Sequence, residues 1–287
     1  MKVFLIGHNG WIGQQYIELF NQNNIEFTYS SHRAETAEFK QDILNYNPSH
    51  VLCCMGRTHG TTTDGTKYTT IDYLENKETL RENINDNLYV PLSTAMFCDS
   101  HNIHFTYIGT GCVFEYDETH TQQIGFTDEE IPNFFGSNYS IVKGFTDMLM
   151  HQTNALNLRI RMPITSSNNS RNFITKILNY KKICSIENSM SVLDELLPLS
   201  IEMMKNCEKG TFNFTNPGTI CHNEILQMYK DVVNPEFKWE NFTQEEQSTI
   251  LLANRSNNLL DTTKLESKYK VSHIKDAVYK CILNWKC

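Results

Sequence analysis

The stretch KVFLIGHNGWIG (2–13) restricts the possible folds of this 287-residue chain more than any other. A short apolar run, 2–7, reads as a strand. It ends in three glycines, Gly7, Gly10 and Gly13, and an amphipathic segment, 11–22, begins within them with Ile12, Tyr16, Leu19 and Phe20 on one stripe. Strand, glycine turn and helix in that order bring backbone close to a ligand at a helix N-terminus, where unpaired N–H groups attract a pyrophosphate. A single tight turn would need fewer glycines. The loop residues Gly7, Asn9, Gly10, Trp11, Ile12 and Gly13 are therefore candidates for dinucleotide contact.

The first half repeats this alternation. Apolar runs at 25–30, 50–56, 103–109 and 156–162 read as strands, and 76–98 and 138–152 as helices. The expected fold class is α/β: a Rossmann-like, doubly wound parallel sheet, with a smaller C-terminal lobe that binds substrate. After Pro163 the rhythm breaks. A short helix is expected near 172–180 and a longer one at 191–204. The expected organisation is a nucleotide-binding domain over 1–163, rejoined by 190–206, and a lobe formed by 164–189 and 207–287.

The glycine spacing G-x-x-G-x-x-G resembles the extended branch of the short-chain dehydrogenase/reductase superfamily. The second strand ends in Ser30, Ser31, His32 and Arg33, without the acid that usually holds the ribose hydroxyls of NAD. Arg33 suits a 2′-phosphate, which favours NADPH over NADH; the alternative is a solvated surface arginine. Asp42 and Ile43 stand where the superfamily contacts adenine. The fourth-strand motif CCMG (53–56) departs from the usual Asn-Ala-Ala-Gly, and Met55, Gly56 and Arg57 are expected to line the cofactor.

Tyr139 and Lys143 form a Tyr-x-x-x-Lys on the predicted helix 138–152, so both side chains share a face. An ammonium near a phenol stabilises phenolate, and such a tyrosine can protonate a carbonyl oxygen as it is reduced. Lys143 is also expected to hold the nicotinamide ribose. Thr110 ends the strand upstream, where the superfamily keeps a hydroxyl for the substrate oxygen. Asn83 matches a structural asparagine behind the Tyr–Lys pair, or is a solvated helix residue.

Cys112 lies two residues beyond Thr110, near enough in sequence for its thiol to reach a carbon beside the bound carbonyl. A 4-keto sugar has acidic hydrogens at C3 and C5, and inverting either centre needs groups on opposite faces. Lys176, in NFITKI (172–177), is a candidate partner; otherwise it is an exposed lysine.

These residues closely resemble the bifunctional nucleotide-sugar 3,5-epimerase/4-reductases of UDP-L-rhamnose synthesis, including the C-terminal half of plant rhamnose synthases and versions in large DNA viruses. The resemblance runs from the glycine loop almost to the C-terminus, through TGC-V-FEYD (110–117), RMPI (161–164), RNFITKI (171–177), LDELLP (193–198), NFTNPG (213–218) and RSNN-L-LD (255–261). It implies reductive roles for Thr110, Tyr139 and Lys143 and epimerase roles for Cys112 and Lys176. It also implies nucleotide-sugar contacts from Asn172 and Arg255, a guanidinium being apt for a diphosphate. Asp261 reads instead as a helix cap. The implied substrate is UDP-4-keto-6-deoxy-D-glucose, supplied by a separate UDP-glucose 4,6-dehydratase, and the implied product is UDP-β-L-rhamnose. Other readings are a reductase like dTDP-4-dehydrorhamnose reductase, an enzyme like GDP-fucose synthase, or a non-catalytic subunit on the same fold.

Composition removes other classes. A formal net charge of −8 argues against nucleic acid or an anionic membrane as partner. Nine cysteines without a Cys-x-x-Cys pair suggest reduced thiols and no metal, in a cytoplasmic setting (the host's, if virus-encoded). No apolar run is long enough to span a membrane. Four Asn-x-Ser/Thr sequons, at Asn138, Asn168, Asn213 and Asn241, read as chance in so Asn-rich a chain. The helices 76–98 and 138–152 carry apolar residues on more than one face, as a homodimer interface would require.

Overall fold

The structure is a computed structural model and describes residues 1–286. Strand β1 (Lys2–Ile6) leads into α1 (Trp11–Gln22), β2 (Glu26–Thr28), α2 (Ala37–Tyr46) and β3 (His50–Cys53). A small antiparallel hairpin follows, β4 (Gly60–Thr61) and β5 (Lys67–Tyr68), and then α3 (Leu80–Ile84) and α4 (Val90–Ser100). Next come β6 (His104–Thr110), α5 (Asn138–Met150), β7 (Leu156–Ile160), α6 (Phe173–Leu178), α7 (Leu193–Lys205) and β8 (Gly210–Asn213). The chain closes with α8 (His222–Val232), α9 (Gln244–Ser248), α10 (Thr263–Glu266) and α11 (Ile274–Leu283).

The main sheet has six strands in the order β2-β1-β3-β6-β7-β8, with β1 parallel to β2 and β3, and β3 parallel to β6. Every residue of β3 and β7 is buried, as expected of parallel strands covered on both faces. The strand order reverses at β1, so the connection leaving β1 and the one leaving β3 part to opposite sides. The crevice at that switch point is the ligand position in open α/β sheets, and the glycine loop lies at its mouth.

Two compact units emerge. One comprises Met1–Val113, Ile131–Leu158 and Ser200–Thr211; the other comprises Phe114–Glu130, Arg159–Leu199 and, of the described residues, 212–286. These boundaries differ from those expected. The segment that rejoins the first unit is 200–211, and 114–130 belongs with the second. In the first unit Phe4, Ile43, Val51, Phe105 and Tyr107 share one core cluster, and Tyr16 of α1 hydrogen-bonds Ser200 of α7 at 2.6 Å. In the second, Ile164, Ile174, Ile225, Leu226, Ile274 and Val278 form a separate core.

The helix expected over 76–98 is not continuous. Two 3-10 turns precede α3, and residues Asn85–Tyr89 form a π-helical turn before α4. The wider turn brings Asn83 and Asn87 both inward, fully buried, with Asn87 Nδ2 donating to Asn83 Oδ1 at 2.8 Å. Helix α2 carries only two buried residues, Phe39 and Ile43, and so has little periodic signal; a Thr36 cap and a left-handed Asn47 bound it. The Asn213 side chain is buried and donates to the Phe126 and Asp261 carbonyls, which closes that sequon to modification. Asp261 accepts the Thr263 N–H at 2.7 Å, with Thr262 in the N-cap position of α10. No helix among the described residues is long and apolar enough to cross a membrane.

Candidate active site

The glycine loop folds as a tight turn, with Gly10 N–H donating to the Gly7 carbonyl at 3.0 Å. Gly7 takes φ +84°, which disfavours any side chain there. A Cβ on Gly13 would stand 2.2 Å from the Gly7 oxygen, so α1 approaches the loop as closely as it does only with glycine. Gly10 caps α1 without a side-chain hydrogen bond, and the first-turn N–H groups at Trp11, Ile12 and Gly13 are left for a ligand. Beside them lies a cleft of about 210 Å³ lined by Gly7, His8, Asn9, Ser30, His32, Arg33, Met55 and Arg57. These residues fit a dinucleotide: a backbone cradle for phosphates and a cation in the loop after β2.

Arg33 is 80% exposed and pairs with Glu35 at 2.7 Å. Asp42 and Ile43, expected near adenine, are engaged within the protein. The Asp42 carboxylate receives hydrogen bonds from Ser30 Oγ and from His32 Nδ1, and it lies below the usual carboxylate range because of those two. Ile43 is fully buried in the core.

After β3 the chain is fixed by the π turn. Asn87 accepts the Arg57 N–H at 2.9 Å and donates to the Arg57 carbonyl at 3.0 Å. The Arg57 guanidinium is held by Asp86 and Glu82, both at 2.9 Å. Arg57 therefore anchors its loop while lining the cleft, and Gly56 leaves room for Asn87, whose Oδ1 would be 3.3 Å from a Cβ there. Asn83 donates to the Asn138 carbonyl at 3.1 Å, tying α3 to the start of α5.

On α5, Ser137 caps the helix by accepting the Ser140 N–H at 3.0 Å, and Ser140 Oγ reaches the Cys112 carbonyl at 2.8 Å. The Cys112 N–H donates to Thr110 Oγ1 at 3.1 Å. Thr110 in turn hydrogen-bonds Tyr139, and Cys112 lies near enough to influence the ionisation of that phenol. Thr110, Cys112 and Tyr139 are thus brought together around one strand end. Desolvation holds the Tyr139 phenol well above its ordinary pKa; the neighbouring Cys112 adds to this and Thr110 opposes it. Lys143 is buried and its amine is pulled down to about 8 by desolvation. Its ammonium donates to the Tyr107 hydroxyl rather than to Tyr139.

In the second unit, Asn172 caps α6. It is fully buried, accepts the Ile174 N–H at 3.2 Å, and donates to the Thr165 and Ser167 carbonyls, both at 2.7 Å. With its amide so engaged, it positions α6 and has no donor left for a substrate. Lys176, on α6, has its pKa lowered by burial and by the positive charges of Arg171 and Arg255. Arg255 donates to the Ala253 carbonyl at 2.7 Å. Lys176, Arg171 and Arg255 thus lie near enough to one another to interact electrostatically.

Sequence reasoning had no hold on Arg171, Ser140, Asn87 or Tyr107. Arg171 stands in the quoted RNFITKI stretch, five residues before Lys176, and that proximity was the one available signal.

No family model matches the chain. The crystal structure of the L780 UDP-rhamnose synthase from Acanthamoeba polyphaga mimivirus superposes with a TM-score of 0.94 at 47% identity, covering 99% of both chains. The bifunctional dTDP-4-dehydrorhamnose 3,5-epimerase/dTDP-4-dehydrorhamnose reductase of Arabidopsis thaliana is 42% identical over 286 residues, covering 97% of this chain and 92% of the relative. A trifunctional Arabidopsis protein, UDP-glucose 4,6-dehydratase/UDP-4-keto-6-deoxy-D-glucose 3,5-epimerase/UDP-4-keto-L-rhamnose-reductase, is 43% identical over 286 residues; the chain spans 41% of its length. With identity at this level over nearly the whole chain, and the Thr110–Cys112–Tyr139 cluster on a doubly wound sheet, the chain is an enzyme and belongs to the rhamnose-forming nucleotide-sugar 3,5-epimerase/4-reductase family.

Proposed function

We propose that the chain converts UDP-4-keto-6-deoxy-D-glucose to UDP-β-L-rhamnose by epimerisation at C3 and C5 followed by reduction at C4. The observation that carries this reading is the meeting of a thiol, a hydroxyl and a phenol at the end of β6, in Cys112, Thr110 and Tyr139. The hydroxyl and the phenol serve a plain reductase; the added thiol supplies acid–base chemistry at carbon.

The C4 ketone acidifies the hydrogens on C3 and C5. Loss of either proton sends the electron pair onto the C4 oxygen, where hydrogen bonds from Thr110 and Tyr139 stabilise the enolate. Cys112 and Lys176 are the proposed acid–base pair, and the lowered Lys176 pKa leaves more of its amine unprotonated, and so able to take a proton, than in an exposed lysine. Bound NADPH supplies the hydride for C4. Tyr139 gives its proton to the C4 oxygen, and the Lys143 charge supports the phenolate left behind. The glycine loop and Arg33 would hold the cofactor, with Met55 and Arg57 lining its cleft. Arg171 and Arg255 would hold the diphosphate. The dTDP sugar in the Arabidopsis relative's name makes a dTDP-linked substrate the second reading.

The 4,6-dehydration that makes the keto sugar belongs to another catalytic unit. A second copy of this chain is the proposed partner. Met96 on α4 and Phe145 and Leu149 on α5 are exposed apolar residues on two adjacent helices, a self-complementary face suited to a two-fold pair. Sedentation of that pair would be read by its mass in solution, and reduced thiols fit a cytoplasmic setting.

Two variants test the reading. Tyr139→Phe is expected to lower ketone-dependent NADPH oxidation about 100-fold or more, while solvent deuterium still enters C3 and C5. Cys112→Ser is expected to lose that exchange but to reduce a ketone already epimerised. Equal loss of both activities in both variants, with the fold intact, would overturn the division of roles.

A further inference from the structure

The buried ammonium of Lys143 has one hydrogen-bond partner among the described residues, the hydroxyl of Tyr107 on β6, and it sits 4.4 Å from the centre of the same ring. Tyr107 is itself 1% exposed, and its hydroxyl has no other partner among the described residues. Among the described residues, each group is therefore the other's one hydrogen-bond partner. A buried phenol without a partner, or a buried ammonium without one, is costly.

We propose that Tyr107 is a positioning residue for the reduction. It receives the Lys143 hydrogen bond and lays its ring against the ammonium, which fixes the charge behind Tyr139. This assignment rests on the proton-transfer role given to Lys143 above.

The surroundings leave this task to Tyr107. On β3, Cys53 stands opposite Tyr107 in the strand register. Its thiol is pushed up to about 12 by burial, so it carries no charge at neutral pH. On α5, Asp147 lies one turn beyond Lys143, and its Oδ1 is taken by Asn157 Nδ2 at 2.8 Å, with His151 3.8 Å from Oδ2. Tyr139 on the same helix and Cys112 in the loop after β6 complete the titratable groups near the amine. None of them is ion-paired with Lys143. The ammonium is hydrogen-bonded to a neutral acceptor and lies against a π face, while the Asp147 carboxylate acts on it through space without pairing with it. The ammonium charge remains available to a phenolate that forms only during turnover.

The test is Tyr107→Phe, which keeps the ring and removes the oxygen. Losing an acceptor from the charged form lowers the amine pKa. The alkaline limb of the kcat profile for ketone reduction should move to lower pH by about one unit. At neutral pH kcat should fall about tenfold, with KM for the keto sugar unchanged. In cofactor-free protein, acylation of Lys143 by a small anhydride, read by mass spectrometry across neutral to alkaline pH, should show the same lowered midpoint. Substituting 3-fluorotyrosine at position 107 weakens the acceptor without altering packing, and should move both midpoints the same way by less.

A fall in kcat with neither midpoint moved would mean that Tyr107 only packs, and would overturn the assignment. Lys143→Met separates this from the parent reading. If that variant reduces ketone normally, the role of Lys143 is wrong; if it is inactive while Tyr107→Phe behaves as wild type, only the role of Tyr107 is.

Discussion

The Asp42 carboxylate grips the His32 imidazole through Nδ1 at 2.8 Å and takes the Ser30 hydroxyl as well. An acid in this region of a dinucleotide fold would ordinarily be read as a ligand for the ribose hydroxyls. Here it is spent on bracing the loop that carries His32 and Arg33 along the cleft wall. The same loop carries Arg33, on which the proposed preference for NADPH rests.

Arg33→Ala is expected to weaken NADPH binding about tenfold, the scale of one charge-assisted contact to phosphate, and to leave NADH binding unchanged. Fluorescence titration of the two reduced cofactors checks this without turnover. Equal weakening of both would mean that Arg33 acts through loop geometry and not on the 2′-phosphate.

Acid should destabilise the fold through His50. Its Nε2 faces the Met204 carbonyl at 3.0 Å and its Nδ1 faces Ser49 Oγ at 2.8 Å, an arrangement that suits the neutral ring. Burial, aided by nearby His104, lowers its pKa to about 4 from 6.5. The unfolded chain then binds a proton that the folded chain does not. Stability is complete above pH 6.5 and drains away as pH falls toward 4, by about 3 kcal/mol at most from this group. Urea melts at several pH values should show this slope, and His50→Gln should flatten it.

Asn172→Ala should cost about 2–4 kcal/mol, because it strands the Thr165 and Ser167 carbonyls and uncaps α6. Since α6 carries Lys176, epimerisation should suffer more than reduction of a pre-epimerised ketone. Thermal melts and paired assays measure the two effects. A variant with wild-type stability but a raised KM would show that Asn172 touches substrate after all.

The sequence made the first unit readable because its signals are local. β1 and the glycine loop form one continuous stretch, and Tyr139 and Lys143 are a helical turn apart, so spacing alone places them. The sequence was silent on α2, whose two buried residues leave no stripe; in the second unit it showed α6 and part of α7 but not the core, which joins residues from Ile164 to Ile282. Ile43 marks a different limit: resemblance placed it near the cofactor, and only the structure shows its side chain buried in the core. The Lys143–Tyr107 contact joins residues 36 apart on a helix and a strand, and no spacing rule anticipates it.

The π turn at Asn85–Tyr89 also bears on how relatives should be aligned. A helix advances about 100° per residue, so removing a single residue there would swing Asn83 away from Asn138 and detach the Arg57 peptide from Asn87. Side chains along the outer surface of this segment are free to drift, but its length is not. An alignment gap inside it would mark a relative whose cofactor loop is held in some other way.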